Sequence, residues 1–344
     1  MRFSAIASVA LCLALGACSS QAQTAAPPTK PAAEAELDAG SVRAWLSRIH
    51  EAAGRRDFSG TLVVSAGGGV HSARIVHVCN GAERYERIDA LDGQPRQIYR
   101  QSRVVHTFWP DSRTVLIEQR GALSDFPGLL HGGVDRIAEF YELRKLGVDR
   151  VAGHEADVLL LQPRDAARFA HRLWAERKTG LLLRAEVLGE REEVLESSAF
   201  SELVMGSKLT ADGLMQSMPK LDGLRVIRKV STPVKLEAEG WALRELVPGF
   251  QQVSCVKRPM PSGEPAGEGG GSALQLVFSD GMTYVSLFIE PFVSVKHQRA
   301  LQTAMGATQT LMRRQGDWWI TVMGDVPMST LQRFYSALER KRSP

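Results

Sequence analysis

The chain is poor in cysteine and holds none of the short motifs that carry common catalytic chemistry. Only four cysteines occur in 344 residues, and Cys12 and Cys18 fall in or beside the apolar N-terminal run. There is no Cys-x-x-Cys, no His-Glu-x-x-His, no Gly-x-Ser-x-Gly and no phosphate loop. Those absences remove the usual redox, zinc-protease, hydrolase and nucleotide-binding readings. Past the N-terminus no run is apolar enough to cross a bilayer. His154-Glu155-Ala156-Asp157 carries metal-capable residues, but on a turn with no second histidine at helical spacing, so a solvated turn explains it better. His71 and His77 share one face of a strand, and half-buried strand histidines account for them. His106 and His171 also lie on strands, where packing is the simpler reading. Asp89, Asp92, Asp111 and Glu118 sit near turns, with nothing pairing them as acid and base. The chain reads as a binding protein that needs no cofactor and no metal, not as an enzyme.

What the N-terminus does supply is an export signal. Met1 and Arg2 give a positive start, and Ala5 to Leu15 form an apolar run too short for a mature anchor. Residues 1–22 are read as a signal peptide. Leu15-Gly16-Ala17-Cys18 has the form of a lipobox, which would make Cys18 the lipidation site; ordinary cleavage near Ala17 or Ala22 is the equal alternative. Either way the mature chain is expected in the periplasm, soluble or tethered through Cys18, and that compartment argues against nucleic acid as a partner. Residues 23–40, rich in Ala, Pro, Gln and Thr, read as a flexible leader.

About 300 residues remain, enough for two cores. The charge is uneven: from Gly206 onward there are 17 Lys and Arg against 12 Asp and Glu. A basic second half suits an acidic peptide or anionic headgroups, and a solvated face explains the count equally well. The first domain is placed at 41–205. Ser41 is expected to cap a helix with Val42, Trp45, Leu46 and Ile49 on its apolar face. Short strands then follow at regular spacing, punctuated by Gly67-Gly68-Gly69, Asn80-Gly81, Asp92-Gly93 and Pro110-Asp111. Arg168 to Leu188 is the clearest hairpin: side chains alternate up to Glu176, Arg177-Lys178-Thr179-Gly180 turns, and Leu181 to Leu188 returns. Residues 206–223 read as a linker whose Leu and Met residues dock locally. The second domain, 224–341, opens with a strand over Leu224 to Val230 and closes with a helix over Pro327 to Arg340. Cys79 and Cys255 fall one in each domain; a disulfide between them and two unpaired thiols both remain open.

Apolar bulk in the first domain comes from Leu62, Val64, Ile75, Phe108, Val115, Ile117, Phe126, Leu159, Leu161, Leu173 and Trp174. These residues read as plain core, or as the lining of an acyl-chain cavity in a half-barrel closed by the first helix.

Several ordered motifs resemble the RseB/MucB family of sigma-E regulatory proteins. Glu83-x-x-Glu86-Arg87-Ile88-x-x-Leu91-Asp92-Gly93 and Phe108-Trp109-Pro110-Asp111 carry the likeness first. Val151-Ala152-Gly153-His154, Arg168-Phe169-x-His171-Arg172-Leu173-Trp174 and Thr179-Gly180-Leu181-Leu182-Leu183-Arg184 continue it. In the second half Phe278-Ser279-Asp280-Gly281, Val285 to Glu290 and Thr321 to Pro327 extend it. The resemblance implies a mainly β fold with some helix: a LolA-like antiparallel half-barrel that senses lipid, and a smaller β-rich domain with a closing helix that holds the partner. It implies a negative regulator of an envelope stress response. Such a protein binds the periplasmic segment of a single-pass anti-sigma factor (RseA/MucA-like), protects it from regulated proteolysis, and is released by lipopolysaccharide or a related acyl lipid. A LolA-type lipoprotein or lipid carrier is the alternative, and self-association into a homo-oligomer stays open.

Overall fold

Alternating side chains run through most of the described residues and build two large open, largely antiparallel sheets and one two-stranded ribbon. In the computed structural model the described residues are 35–36, 38–81, 83–119, 134–206, 209–259 and 271–341. Phe126, Cys18, the signal peptide and the tip of the 259–272 loop lie outside them.

The first sheet has thirteen strands. They are β1 (Ala35–Glu36), β2 (Phe58–Ala66), β3 (Gly69–Asn80), β4 (Glu83–Ala90), β5 (Gln97–Gln101), β6 (Val104–Trp109) and β7 (Thr114–Gln119), then β8 (Tyr141–Val151), β9 (His154–Pro163), β10 (Ala170–Glu176), β11 (Leu182–Leu188), β12 (Val194–Met205) and β13 (Arg225–Lys229). Their order is β1-β8-β9-β10-β11-β12-β2-β3-β4-β5-β6-β7-β13. Two meanders, β2 to β7 and β8 to β12, are thus joined where β12 pairs with β2, with Phe200 opposite Leu62. Short turns make meanders the natural product of such a sequence, because each strand pairs with its chain neighbour. The exception is β13. Leu224 to Val230 was expected to open the second domain, yet β13 pairs in parallel with β7 and closes one edge of the first sheet.

Helix α1 (Ala39–Arg55) covers one face of this sheet. Its N-cap is Asp38, not Ser41. The Asp38 carboxylate accepts the Ser41 backbone N–H at 2.9 Å and the Ser41 hydroxyl at 3.1 Å, so the helix starts one turn earlier than its apolar stripe. Val42, Leu46 and Ile49 are buried at that interface, each contributing about 1.5–3 kcal/mol by removal from water. Helix α2 (Val134–Phe140) packs beside it. Helix α3 (Ala211–Gln216) belongs to the linker, whose Leu214, Met215 and Met218 dock on the opposite face together with Leu221, whereas Leu209 is exposed.

The second sheet follows the order β14 (Thr232–Pro233), β16 (Gln251–Pro259), β17 (Ser272–Ser279), β18 (Tyr284–Pro291), β21 (Trp318–Gly324), β20 (Thr308–Gln315) and β19 (Leu301–Met305). Between β14 and β16 in the chain lies β15 (Trp241–Leu243). Helix α4 (Met328–Ala337) buries Leu331 and Phe334 against this sheet. It ends before the expected Arg340: Leu338–Arg340 extends as β22 and pairs with β15. Both sheets belong to one compact unit.

Candidate functional site

The sheet register decides which candidate residues can act together. Val64, Ser198, Ala185, Leu173 and Leu159 stand at one register across five strands, so their side chains share a face. Leu62 lies on that face with Val64, and Ile75, opposite Gly60, joins it. Leu159, Leu161 and Leu173 are fully buried there under α1. Ile75 belongs to a neighbouring cluster with Phe58 and Phe200, while Leu62 and Val64 are half-buried. Phe108, Val115 and Ile117 lie elsewhere. Ile75 faces Ile88, Ile98 and then Thr107 across successive strands, which puts Phe108 on the reverse face with Tyr99, under the linker. Trp174 also points away from its neighbour Leu173: its indole N–H donates to Asp149 at 3.0 Å and Arg184 covers its ring. One cavity cannot hold all these residues, because they occupy both faces of a sheet.

The hairpin turn between β10 and β11 is locked to α1. One Glu176 carboxylate oxygen accepts the N–H groups of Lys178 and Thr179 and the Thr179 hydroxyl. Burial opposes its charge, but those bonds hold its pKa below the ordinary value. Gly180 adopts φ +84°, and a Cβ there would meet Arg48 Cγ at 2.6 Å. Arg48 in turn donates to the Arg177 carbonyl. The Thr-Gly pair thus lets the helix approach the turn. Beside this contact a groove of about 640 Å³ runs along the outer face of α1, with Arg48, Arg55, Arg56 and Lys178 in its walls.

The two sheets meet around a buried ion pair that motif reading did not connect. Arg168 Nε donates to Asp280 Oδ2 at 2.7 Å, and neither side chain is exposed. Tyr141 donates its hydroxyl to the same oxygen at 3.1 Å, while Asp280 Oδ1 accepts the backbone N–H of Met282 and Thr283. Arg168 also donates to Asp165 and to the Pro248 carbonyl, with its guanidinium against the rings of Phe140 and Phe250. Burial, with the Asp280 charge, lifts the Tyr141 hydroxyl well above its ordinary pKa. Burial pushes His171 down to about 4, against a smaller upward pull from Asp280. The Thr330 hydroxyl on α4 donates to the Ala167 carbonyl at 2.9 Å. Two of the motifs singled out in the sequence, Arg168-Phe169-x-His171 and Phe278-Ser279-Asp280-Gly281, are therefore in contact. Both were visible; their pairing across 112 positions was not.

Among the described residues, no group of three or more His, Cys, Asp and Glu is arranged to hold a metal ion. Cys79 and Cys255 are free thiols.

Family models cover both sheets: the MucB/RseB N-terminal domain matches residues 41–218, and the MucB/RseB C-terminal domain matches residues 235–339. The chain belongs to the MucB/RseB family. The sigma factor AlgU regulatory protein MucB of Pseudomonas aeruginosa is 30% identical over 306 residues, covering 84% of this chain and 88% of the relative. The sigma-E factor regulatory protein RseB of Haemophilus influenzae is 24% identical over 293 residues, covering 85% and 89%. Among solved structures, MucB in complex with MucA(peri) matches with a TM-score of 0.65 at 26% identity, over 88% of this chain and all of that one. The Pseudomonas aeruginosa MucA/MucB complex matches at 0.66 and 25% identity, with the same coverage. The mainly β fold with a few helices that the resemblance implied is the one observed, and its sheets are open. Among the described residues no helix is long and apolar enough to cross a membrane.

Proposed function

We propose that this protein is a periplasmic negative regulator of an envelope-stress sigma factor, and that it acts by binding, not by catalysis. It holds the periplasmic segment of a single-pass anti-sigma factor and shields that segment from the protease that begins its degradation. The carrying observation is the likeness along 88% of the chain to MucB, a relative whose solved structure contains MucA(peri). The second sheet is assigned to the anti-sigma segment; much of the basic excess after Gly206 lies elsewhere, because Arg225, Arg228 and Lys229 stand on β13 at the edge of the first sheet.

Lipopolysaccharide or a related acyl lipid is the proposed release signal, and the α1-covered face of the first sheet is its proposed site. Leu159, Leu161 and Leu173 would contact the acyl chains when α1 lifts; Leu62, Val64 and Ile75 continue the same face. Phe108, Val115 and Ile117, packed under the linker, are left out of that proposed site, and Trp174 adjoins it through the cluster it shares with Ile75. Lipid and partner then compete through one linkage: each must weaken the other by the same factor. Cleavage of the anti-sigma segment by its protease tests the proposal. Adding the chain without residues 1–22 should slow cleavage, and lipopolysaccharide should restore the rate. Unchanged cleavage with the protein in excess would refute it.

A further inference from the structure

Strand β3 places His77 and Cys79 two residues apart, hence on one face. Glu86 stands directly opposite His77 on β4, and Arg100 directly opposite Glu86 on β5. The side chains follow this register. Cys79 Sγ lies 3.3 Å from His77 Nε2, His77 Nδ1 lies 2.9 Å from Glu86 Oε1, and Glu86 Oε2 lies 3.0 Å from Arg100. Phe58 stacks on the imidazole at 4.9 Å and fixes its plane. Thiol, imidazole and carboxylate are therefore aligned in the order that nucleophilic cysteine sites use. His77 is almost fully buried, whereas Cys79 opens into a groove of about 570 Å³ around the end of α1, beside Arg55 and Arg56.

We propose that Cys79, His77 and Glu86 form a nucleophilic thiol site that reacts with small, carboxylate-bearing disulfides. The inference does not depend on the regulatory reading. In the resting state the thiol donates to the Gly54 carbonyl at 3.1 Å, and Asp57 accepts the Cys79 backbone N–H at 2.8 Å. Burial works against charge on His77, but its bonds to Cys79 and Glu86 outweigh it and raise its pKa to about 9. The ring is then an imidazolium whose Nε2 faces the sulfur, and the thiol gives its proton to solvent as it attacks. The charged groups around the pair are Glu86, Arg100 and Arg84 on the sheet side, and Asp57, Arg55 and Arg56 at the groove. The Cys79 sulfur attacks one sulfur of the disulfide. A new S–S bond forms, the old one breaks, and its electron pair departs on the second sulfur, which takes a proton from solvent. The products are a mixed disulfide on Cys79 and one small thiol. Arg55 and Arg56 favour a reagent that carries carboxylates.

The test uses the chain lacking residues 1–22, in which Cys79 and buried Cys255 are the only thiols. Reaction with dithiobis(nitrobenzoate), a dianionic disulfide, should release one fast equivalent at pH 7. That rate should exceed the rate of the guanidinium-unfolded chain by about tenfold or more. Cys79→Ala should abolish the fast phase and Cys255→Ala should keep it. His77→Gln and Glu86→Gln should slow it by about fivefold or more, with a steeper rise with pH. Arg55→Ala/Arg56→Ala should slow the dianionic probe while leaving a neutral dipyridyl disulfide unaffected; equal effects on both would remove the carboxylate preference. A native rate no faster than the unfolded chain's would overturn the site. Should the His77 variant fail to fold, Glu86→Gln decides: a slowing of about fivefold or more supports the site, and an unchanged rate contradicts it.

Discussion

Replacing Asp280 with Asn removes one charge from the junction between the sheets and keeps the side chain's shape. Both carboxylate oxygens are committed: Oδ1 to the N–H groups of Met282 and Thr283, Oδ2 to Arg168 and Tyr141. An amide can keep the first pair, but its NH₂ then faces two donors. Arg168, whose side chain has no exposure, would be left with Asp165 and the Pro248 carbonyl. Removing one partner of a buried pair costs about 3–5 kcal/mol. For a chain of this size that is a fall in Tm of about 6–10 °C. Calorimetric melting of both proteins measures it. Arg168→Met/Asp280→Leu should recover part of the loss, because no unpaired charge then remains buried. A D280N protein within about 1 kcal/mol of wild type would refute the argument that this pair holds the sheets together.

Other outcomes follow from the same geometry. His171, at about 4 in the folded protein against 6.5 unfolded, binds fewer protons folded, so stability should climb by ~3 kcal/mol as pH rises from 4 to 6.5. His77, at about 9 against 6.5, does the reverse: its stabilisation is complete below 6.5 and fades by ~3 kcal/mol towards 9. Urea midpoints should therefore peak near pH 6.5, and a steady rise through pH 9 would contradict the His77 assignment. Gly180→Ala should cost about 1–3 kcal/mol from its left-handed backbone and the Arg48 contact, whereas an unchanged melting point would show that the turn yields. Phe108→Ala and Leu173→Ala should each destabilise by about 2–5 kcal/mol, but only Leu173→Ala should alter the amount of lipopolysaccharide bound per folded chain. Equal losses would place lipid on both faces.

Local features were the legible part of this fold. The short strands of the first sheet and the Arg168 to Leu188 hairpin could be read because turn residues and alternation act between chain neighbours. That the linker's Leu and Met residues dock was readable from their apolar character, but not that they dock on Tyr99 and Phe108 about a hundred residues earlier. Non-local choices were hidden. Nothing in Arg225–Lys229 says that it pairs in parallel with a strand more than a hundred residues earlier. The helix cap was misplaced by one turn because Ser41 and Asp38 both suit the role, and only the carboxylate's reach to Ser41 decides it. The apolar list mixed two faces because alternation gives each strand's parity without relating one strand to the next. Register supplied that relation, separating Phe108 from Leu173 and setting Glu86 opposite His77. The Arg168–Asp280 pair was legible only as two separate motifs.

The most direct measurement is equilibrium binding of the chain without residues 1–22 to the periplasmic segment of its host's anti-sigma factor, across a series of lipopolysaccharide concentrations. The account predicts a Kd below about 1 μM without lipid, weakening steadily as lipid is added. No binding at micromolar concentrations would contradict the regulatory function. Binding indifferent to lipid would keep the partner and remove the release mechanism.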